Sequence, residues 1–324
     1  MCQQHTRKDV VMSERIGVYG AGTIGSCEIT LITGNSFPVT VIGFDDADLA
    51  RCRGKLEQNW DDLIKLGLAT AENKEAAMKL VTLTADPSAL RDCTFVFEEV
   101  LEDIKIKSSV FKIIEANTGD DTIIASSTSS IDAEDLAASV TRPERLIIAH
   151  PFQPVHLQPL VELVCSQKTS EDTVSRAKAV LADLQRVVVC MKKSVPGFLV
   201  NRFAQTLFRE SLYLIEQGVT TAEDVDIAVK YAVGMRYAEI GLLEYFDAVG
   251  FELESAIAKN VYPDLCDTKE LQETVLEGLR TGKTGKMAGQ GLFDWSERSD
   301  EDYRRRLNAP YLDGVKKWHL PKGE

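Results

Sequence analysis

The chain has 324 residues, 44% of them apolar, and carries 37 basic against 50 acidic side chains for a formal charge of −13. A chain of that length and apolar content supports about two domains, and no apolar run approaches the roughly 18 residues of a membrane-spanning helix. The acidic balance disfavours nucleic acid and anionic membrane surfaces, which are held chiefly by cationic patches, so neither is expected as a partner.

The opening segment MCQQHTRKDVVM lacks the hydrophobic centre of a signal peptide, and residues 1–13 read as a loose tail. From Arg15 the order is an apolar strand (RIGVYG), a glycine loop (GAGTIG), a helical stretch to about Thr33, a turn, and a second strand (PVTVIGFDD). That is a βαβ unit. Gly20, Gly22 and Gly25 form a GxGxxG between strand and helix. In that context the first glycine permits the tight turn, the second lets backbone approach a pyrophosphate, and the third allows close helix packing. Thr23 and Ile24 lie within the loop, at the start of a helix whose N–H groups favour phosphate. Asp45 follows Gly25 by 20 residues, at the end of the next strand, where a carboxylate accepts from a ribose diol and repels a 2′-phosphate. NAD is therefore the expected cofactor. A methyltransferase uses a similar first loop, so downstream residues must decide between the two.

Residues 47–80 interrupt the alternation with a long helical pattern, balanced between six basic residues (Arg51, Arg53, Lys55, Lys65, Lys74, Lys79) and six acidic ones. A helical excursion from the sheet is expected there. Further strands follow at CTFVFEEV, DTIIASS, RLIIAHPF, PLVELVCS and QRVVVC, predicting a mostly parallel sheet covered by helices.

His150 ends one of these strands and Glu162 lies inside the next, so two titratable groups stand where apolar residues are expected. Oxidising an alcohol requires removal of its proton as hydride leaves carbon. A histidine is suited to accepting that proton at neutral pH, and a neighbouring carboxylate would orient the ring and stabilise imidazolium. The loop SSTSS (126–130) follows the DTIIA strand and offers hydroxyls to a nicotinamide or a substrate oxygen. Past Lys193 the pattern becomes helical. SVPGFLVNRF opens a long helix with Leu199, Phe203, Leu207 and Leu214 at helical spacing, Asn201 sits near its start, and Thr221 with Asp224 resembles a capping box. The division expected is an α/β Rossmann-type dinucleotide-binding domain over 14–193 and an all-α domain over 194–324 that serves substrate binding and dimerisation. Seven cysteines, widely spaced and without CxxC, suggest neither a disulfide framework nor a metal site and fit a cytoplasmic location.

Taken together, GAGTIG, Asp45, ASSTSS, HPFQP…PLVE, PGFLVNR and the closing GKTGKMAGQGLFDW resemble the L-3-hydroxyacyl-CoA dehydrogenase family over nearly the whole chain. The resemblance implies His150 as catalytic base, Glu162 as its partner, Ser129 on the substrate hydroxyl and Asn201 organising the site. It also implies that Glu102 and Lys107 of LEDIKIK contact NAD, and that Ser127 does so where the family often has asparagine. Gln153 likewise stands where asparagine is common. The segment AVGMRYAEIGLLE departs from the acyl-CoA enzymes and looks more like the L-gulonate dehydrogenase and lambda-crystallin branch. There Arg236 can bind a substrate carboxylate in a paired contact. The expected activity is NAD-dependent interconversion of a 3-hydroxyacyl compound, a small free 3-hydroxy acid or a CoA thioester, with its 3-oxo product, by a homodimer. A 6-phosphogluconate-like dehydrogenase is the alternative enzyme, but Arg202 follows Asn201 and no lysine follows until Lys230. A non-catalytic crystallin-like protein is the alternative of another kind.

Overall fold

A computed structural model describes residues 14–317 of the chain, so the expected N-terminal tail over 1–13 lies outside the described residues. They group into two compact units, one of residues 14–199 with 306–317, the other of residues 200–305.

The first unit runs β1 (Ile16–Tyr19), α1 (Thr23–Gly34), β2 (Val39–Ile42), α2 (Asp46–Lys65), α3 (Ala71–Met78), β3 (Val81–Thr84), β4 (Phe95–Glu98), α4 (Ile104–Asn117), β5 (Ile123–Ser126), α5 (Ala133–Ala137), β6 (Leu146–Pro151), β7 (Leu160–Val164), α6 (Glu171–Asp183) and β8 (Val187–Met191). The eight strands form one sheet in the order β3-β2-β1-β4-β5-β6-β7-β8. Every pairing is parallel except β6 with β7. Strands such as FVFE and IIAS are buried throughout because both faces are covered. Phe95, Phe97 and Ala125 pack toward Ile29, Leu56 and Val180 of α1, α2 and α6. Val96 and Ile124 point to the other face, onto Phe111 and Leu136 of α4 and α5.

The excursion over 47–80 forms as the helices α2 and α3. The sequence reading missed β3, a four-residue, partly exposed edge strand with only a short alternating VTLT to mark it. Strand order reverses beside β1, so the ends of β1, β2 and β4 frame a crevice where α/β sheets bind ligands.

The second unit is helical. It contains α7 (Val200–Glu216), α8 (Ala222–Ala228), a π-helical turn over Val229–Gly234, α9 (Met235–Tyr237), α10 (Leu242–Val249), α11 (Phe251–Val261) and α12 (Glu273–Thr281), and α13 (Asp300–Lys317) begins in it. Thr221 caps α8 by accepting from the Asp224 amide. The division falls at 199/200, six residues beyond the expected boundary. The PGFL turn belongs to the first unit because Phe198 is buried in its core.

Candidate active site

The β1–α1 turn leaves a cradle open. Gly20 has φ +121, and a Cβ there would lie 2.5 Å from the Glu99 carbonyl oxygen. A Cβ at Gly25 would lie 2.0 Å from the Gly20 carbonyl oxygen, whereas one at Gly22 meets nothing within 4 Å. The first and third glycines are thus required by close backbone approach, and the second borders open space. Gly22 caps α1 without a side-chain bond, and the first turn, Thr23 and Ile24 included, has no acidic residue. By contrast α2 to α6 are each capped by Asp or by Ser or Thr (Asp45, Thr70, Asp103, Asp132, Ser170). The unspent N–H groups and positive helix end fit the pyrophosphate of a dinucleotide. Asp45 is exposed at the end of β2 and caps α2, its Oδ1 accepting from the Asp48 amide at 2.7 Å. That bond fixes the orientation of the carboxylate at the strand end.

Two carboxylates shape the neighbouring loop. Glu98, fully buried, accepts from Lys107 Nζ at 2.9 and 3.0 Å and from Ser126 Oγ at 2.6 Å. Glu102 accepts from Thr128 Oγ1 (2.7 Å), the Ser129 and Ser130 amides (2.9 and 3.0 Å) and Ser130 Oγ (2.9 Å). Partial burial works to raise the Glu102 pKa, but the hydroxyl and amide donors and the Lys107 charge outweigh it and hold the carboxyl below its usual range. Lys107 is itself buried, with Nζ 3.7 Å from Glu102 Oε2, so it braces both acids from beneath instead of facing solvent. Ser127 Oγ donates to the Glu98 carbonyl at 3.1 Å, and Ser129 is exposed beyond it.

Because β6 and β7 are antiparallel, His150 and Glu162 fall directly opposite each other. His150 Nδ1 lies 2.9 Å from Glu162 Oε2, with His150 6% exposed and Glu162 fully buried. A carboxylate only accepts, so the shared proton belongs to Nδ1 and the lone pair to Nε2. Glu162 Oε1 accepts from the Leu199 amide at 2.9 Å. Gly197 and Phe198 carry positive φ (77 and 49) in the turn that brings this amide there. The ring is packed by Phe152 and Phe198, at centroid distances of 4.6 and 5.5 Å. Such a site can hold an imidazole in one tautomer and accept a proton at Nε2. The sequence reading found the pair but not the two phenylalanines or the Leu199 amide, because backbone donors have no sequence signal.

The structure therefore joins His150 to Glu162, and Glu102 to Lys107 and the serine loop. Asn201, half-buried on α7, and Arg236, exposed on α9, belong to the second unit. Arg236 is stacked with its guanidinium carbon 4.5 Å from the Tyr245 ring centroid.

Comparison with known proteins gives the family of the chain. Residues 15–194 match the model of the 3-hydroxyacyl-CoA dehydrogenase NAD binding domain, and 197–295 match that of its C-terminal domain. The chain is 33% identical to L-carnitine dehydrogenase of Oceanobacillus iheyensis, over 83% of this chain and 90% of that one. It is 28% identical to 3-hydroxybutyryl-CoA dehydrogenase of Clostridioides difficile, over 87% and 100%. The crystal structure of 5-formyl-3-hydroxy-2-methylpyridine 4-carboxylic acid 5-dehydrogenase, an NAD+-dependent dismutase, superposes with a TM-score of 0.84 at 28% identity, covering 95% of this chain and 99% of that one. The protein belongs to the 3-hydroxyacyl-CoA dehydrogenase family. It is an NAD-dependent dehydrogenase with an α/β Rossmann-type domain followed by a helical one.

One acid at the cradle has no well-formed hydrogen bond. Glu99 is buried at the end of β4, and both carboxylate oxygens lack a partner. Burial, and next the Glu28 carboxylate, push its pKa well above the usual range against the weaker pull of the nearby Ser127 hydroxyl, while burial raises Glu28 itself to about 7 against the pull of Arg186. An acid whose folded pKa lies above its unfolded value binds more protons folded than unfolded. Its contribution to stability is therefore full below about pH 4.5 and is lost as pH rises toward the folded pKa. As pH rises above about 4.5, the unmodified protein should lose thermal stability relative to Glu99→Gln, whose amide does not titrate. Equal slopes for both proteins would show that the Glu99 pKa is not raised by folding.

Proposed function

We propose that the protein oxidises the 3-hydroxyl of a small free hydroxy acid with His150 as the base, a reading carried by the buried His150–Glu162 pair. Glu162 holds Nδ1–H, so Nε2 is left to take the hydroxyl proton, and the carboxylate then stabilises the imidazolium. Bound NAD supplies the hydride acceptor. Gly20, Gly22, Thr23, Ile24 and Gly25 seat the dinucleotide and Asp45 receives its ribose. Glu102 and Ser127 shape the nicotinamide side, with Lys107 acting through Glu98 and Glu102. Ser129 Oγ, exposed on the serine loop, holds the reacting oxygen.

Three observations favour a free acid over a CoA thioester. Arg236 is exposed on an aromatic ring, with no carboxylate partner among the described residues. The excursion offers no excess of positive charge. Two of the relatives are named for L-carnitine and for a pyridine carboxylate. The competing reading is a CoA ester, as in the relative named 3-hydroxybutyryl-CoA dehydrogenase.

The helical unit supports a homodimer. Within 200–305 only Leu212 is a buried apolar side chain, whereas twenty large apolar ones are exposed, among them Leu243 (81%) and Phe251 (72%). A unit with so little core of its own gains one by pairing with a second copy. The six described cysteines are free, which accords with a cytoplasmic location, and no described helix is long and apolar enough to cross a membrane.

His150→Gln should lower turnover by roughly two to four orders of magnitude while NAD affinity changes little. Unchanged turnover would remove His150 as the base. Following NAD reduction across free hydroxy acids and 3-hydroxyacyl-CoA esters tests the substrate. Free acids should react, and Arg236→Met should raise their KM by about tenfold or more with little effect on NAD affinity. Efficient turnover of CoA esters alone would overturn the preference.

A further inference from the structure

Four of the six basic residues on the excursion pair with its own acids: Arg51 with Asp48, Lys65 with Asp62, Lys74 with Asp61 and Lys79 with Glu75. Lys55 reaches away from them. Its half-buried side chain crosses from α2 to α1, where Nζ donates to Thr23 Oγ1 at 2.9 Å. Asn59, one turn further along α2, donates to Thr30 Oγ1 at 3.1 Å, so α2 is tied to α1 on the face that presents Lys55.

This is an odd place for a cation. Thr23 is the first residue of α1, and the N-terminus of a helix carries partial positive charge. No side chain caps that end, its first turn holds no acid, and Lys55 forms no ion pair among the described residues. An ammonium and a helix N-terminus repel each other when nothing lies between them, and both attract an anion that does. The space beside Gly22, where an added Cβ meets no atom within 4 Å, admits one. Asp45 stands ten residues earlier on the same helix, about 15 Å away at 1.5 Å per residue, so Lys55 is too distant to read the adenosine ribose.

We propose that Lys55 is a cofactor-binding residue whose ammonium neutralises the dinucleotide pyrophosphate at the start of α1. The inference rests on NAD being the cofactor and goes beyond the glycine loop and Asp45 by adding a charge from outside the βαβ unit. The hydrogen bond to Thr23 is its resting contact. From there a small rotation of the flexible lysine stem places three donors against phosphate oxygens.

The test is equilibrium binding of NAD, ADP-ribose, adenosine and coenzyme A to the full chain and to Lys55→Met and Lys55→Arg. Lys55→Met should weaken NAD and ADP-ribose about tenfold and leave adenosine and coenzyme A within about twofold, and its ADP-ribose affinity should depend less steeply on NaCl. Lys55→Arg keeps the charge and should recover most of the loss. An unchanged ADP-ribose Kd in Lys55→Met overturns the proposal, as does an equal loss for adenosine or a loss confined to coenzyme A. Lys55 would then be a tie between α1 and α2 or a contact for another ligand. Failure of the unmodified protein to bind either NAD or ADP-ribose would instead strike the cofactor assignment.

Discussion

A carboxylate buried away from water must have its hydrogen bonds supplied by the protein, and Glu162 is in that position. Oε2 is met by His150 Nδ1 across the strand pair, and Oε1 by the Leu199 amide. Much of the first unit follows from meeting that requirement. β6 and β7 have to run antiparallel for residues 150 and 162 to face each other, the one reversal in an otherwise parallel sheet. The chain leaving β8 must return through the Gly197–Phe198 turn to deliver an amide and a ring to the same place. The result is an imidazole held in one tautomer before any substrate arrives.

The same economy appears at the neighbouring strand ends, where buried charge is matched by fixed donors. Glu98 is paired with Lys107, and Glu102 collects the donors of the serine loop. Removing one partner of such a buried pair leaves the other uncompensated, which is why loop shape and charge are coupled here. Glu99 is the exception, a buried acid beside the glycine loop with no well-formed hydrogen bond. The cradle thus combines an uncapped helix end, a cation on Thr23 and a buried carboxyl group whose pKa is raised, an electrostatic setting suited to an anionic ligand in a strongly acidic protein.

Periodicity exposed much of this fold. The GxGxxG between RIGVY and a helix located β1 and α1, and the apolar runs at FVFEE, TIIAS and LIIAH located the central strands, since strands buried on both faces lose their polar alternation. β3 stayed hidden because an edge strand needs no such run. His150 and Glu162 stood out as polar interruptions of apolar strands. That they are exact neighbours depends on antiparallel register, which the spacing of twelve residues does not impose. Lys107 shows the opposite limit. Its position in LEDIKIK resembles a cofactor contact, yet burial turns its ammonium inward onto Glu98. Lys55 looked like one member of a balanced charge set until its bond to Thr23 separated it from the paired lysines.

The central claim is that His150 and Glu162 act as one unit, and a double-mutant cycle in kcat/KM tests it most directly. His150→Gln and Glu162→Gln are measured singly and together, with NAD affinity as the check that the fold and cofactor site remain. If the carboxylate works only through the imidazole, the double variant loses about as much activity as His150→Gln alone, because the second change removes a function already gone. Losses that multiply would contradict the account and give Glu162 a role independent of the histidine it faces.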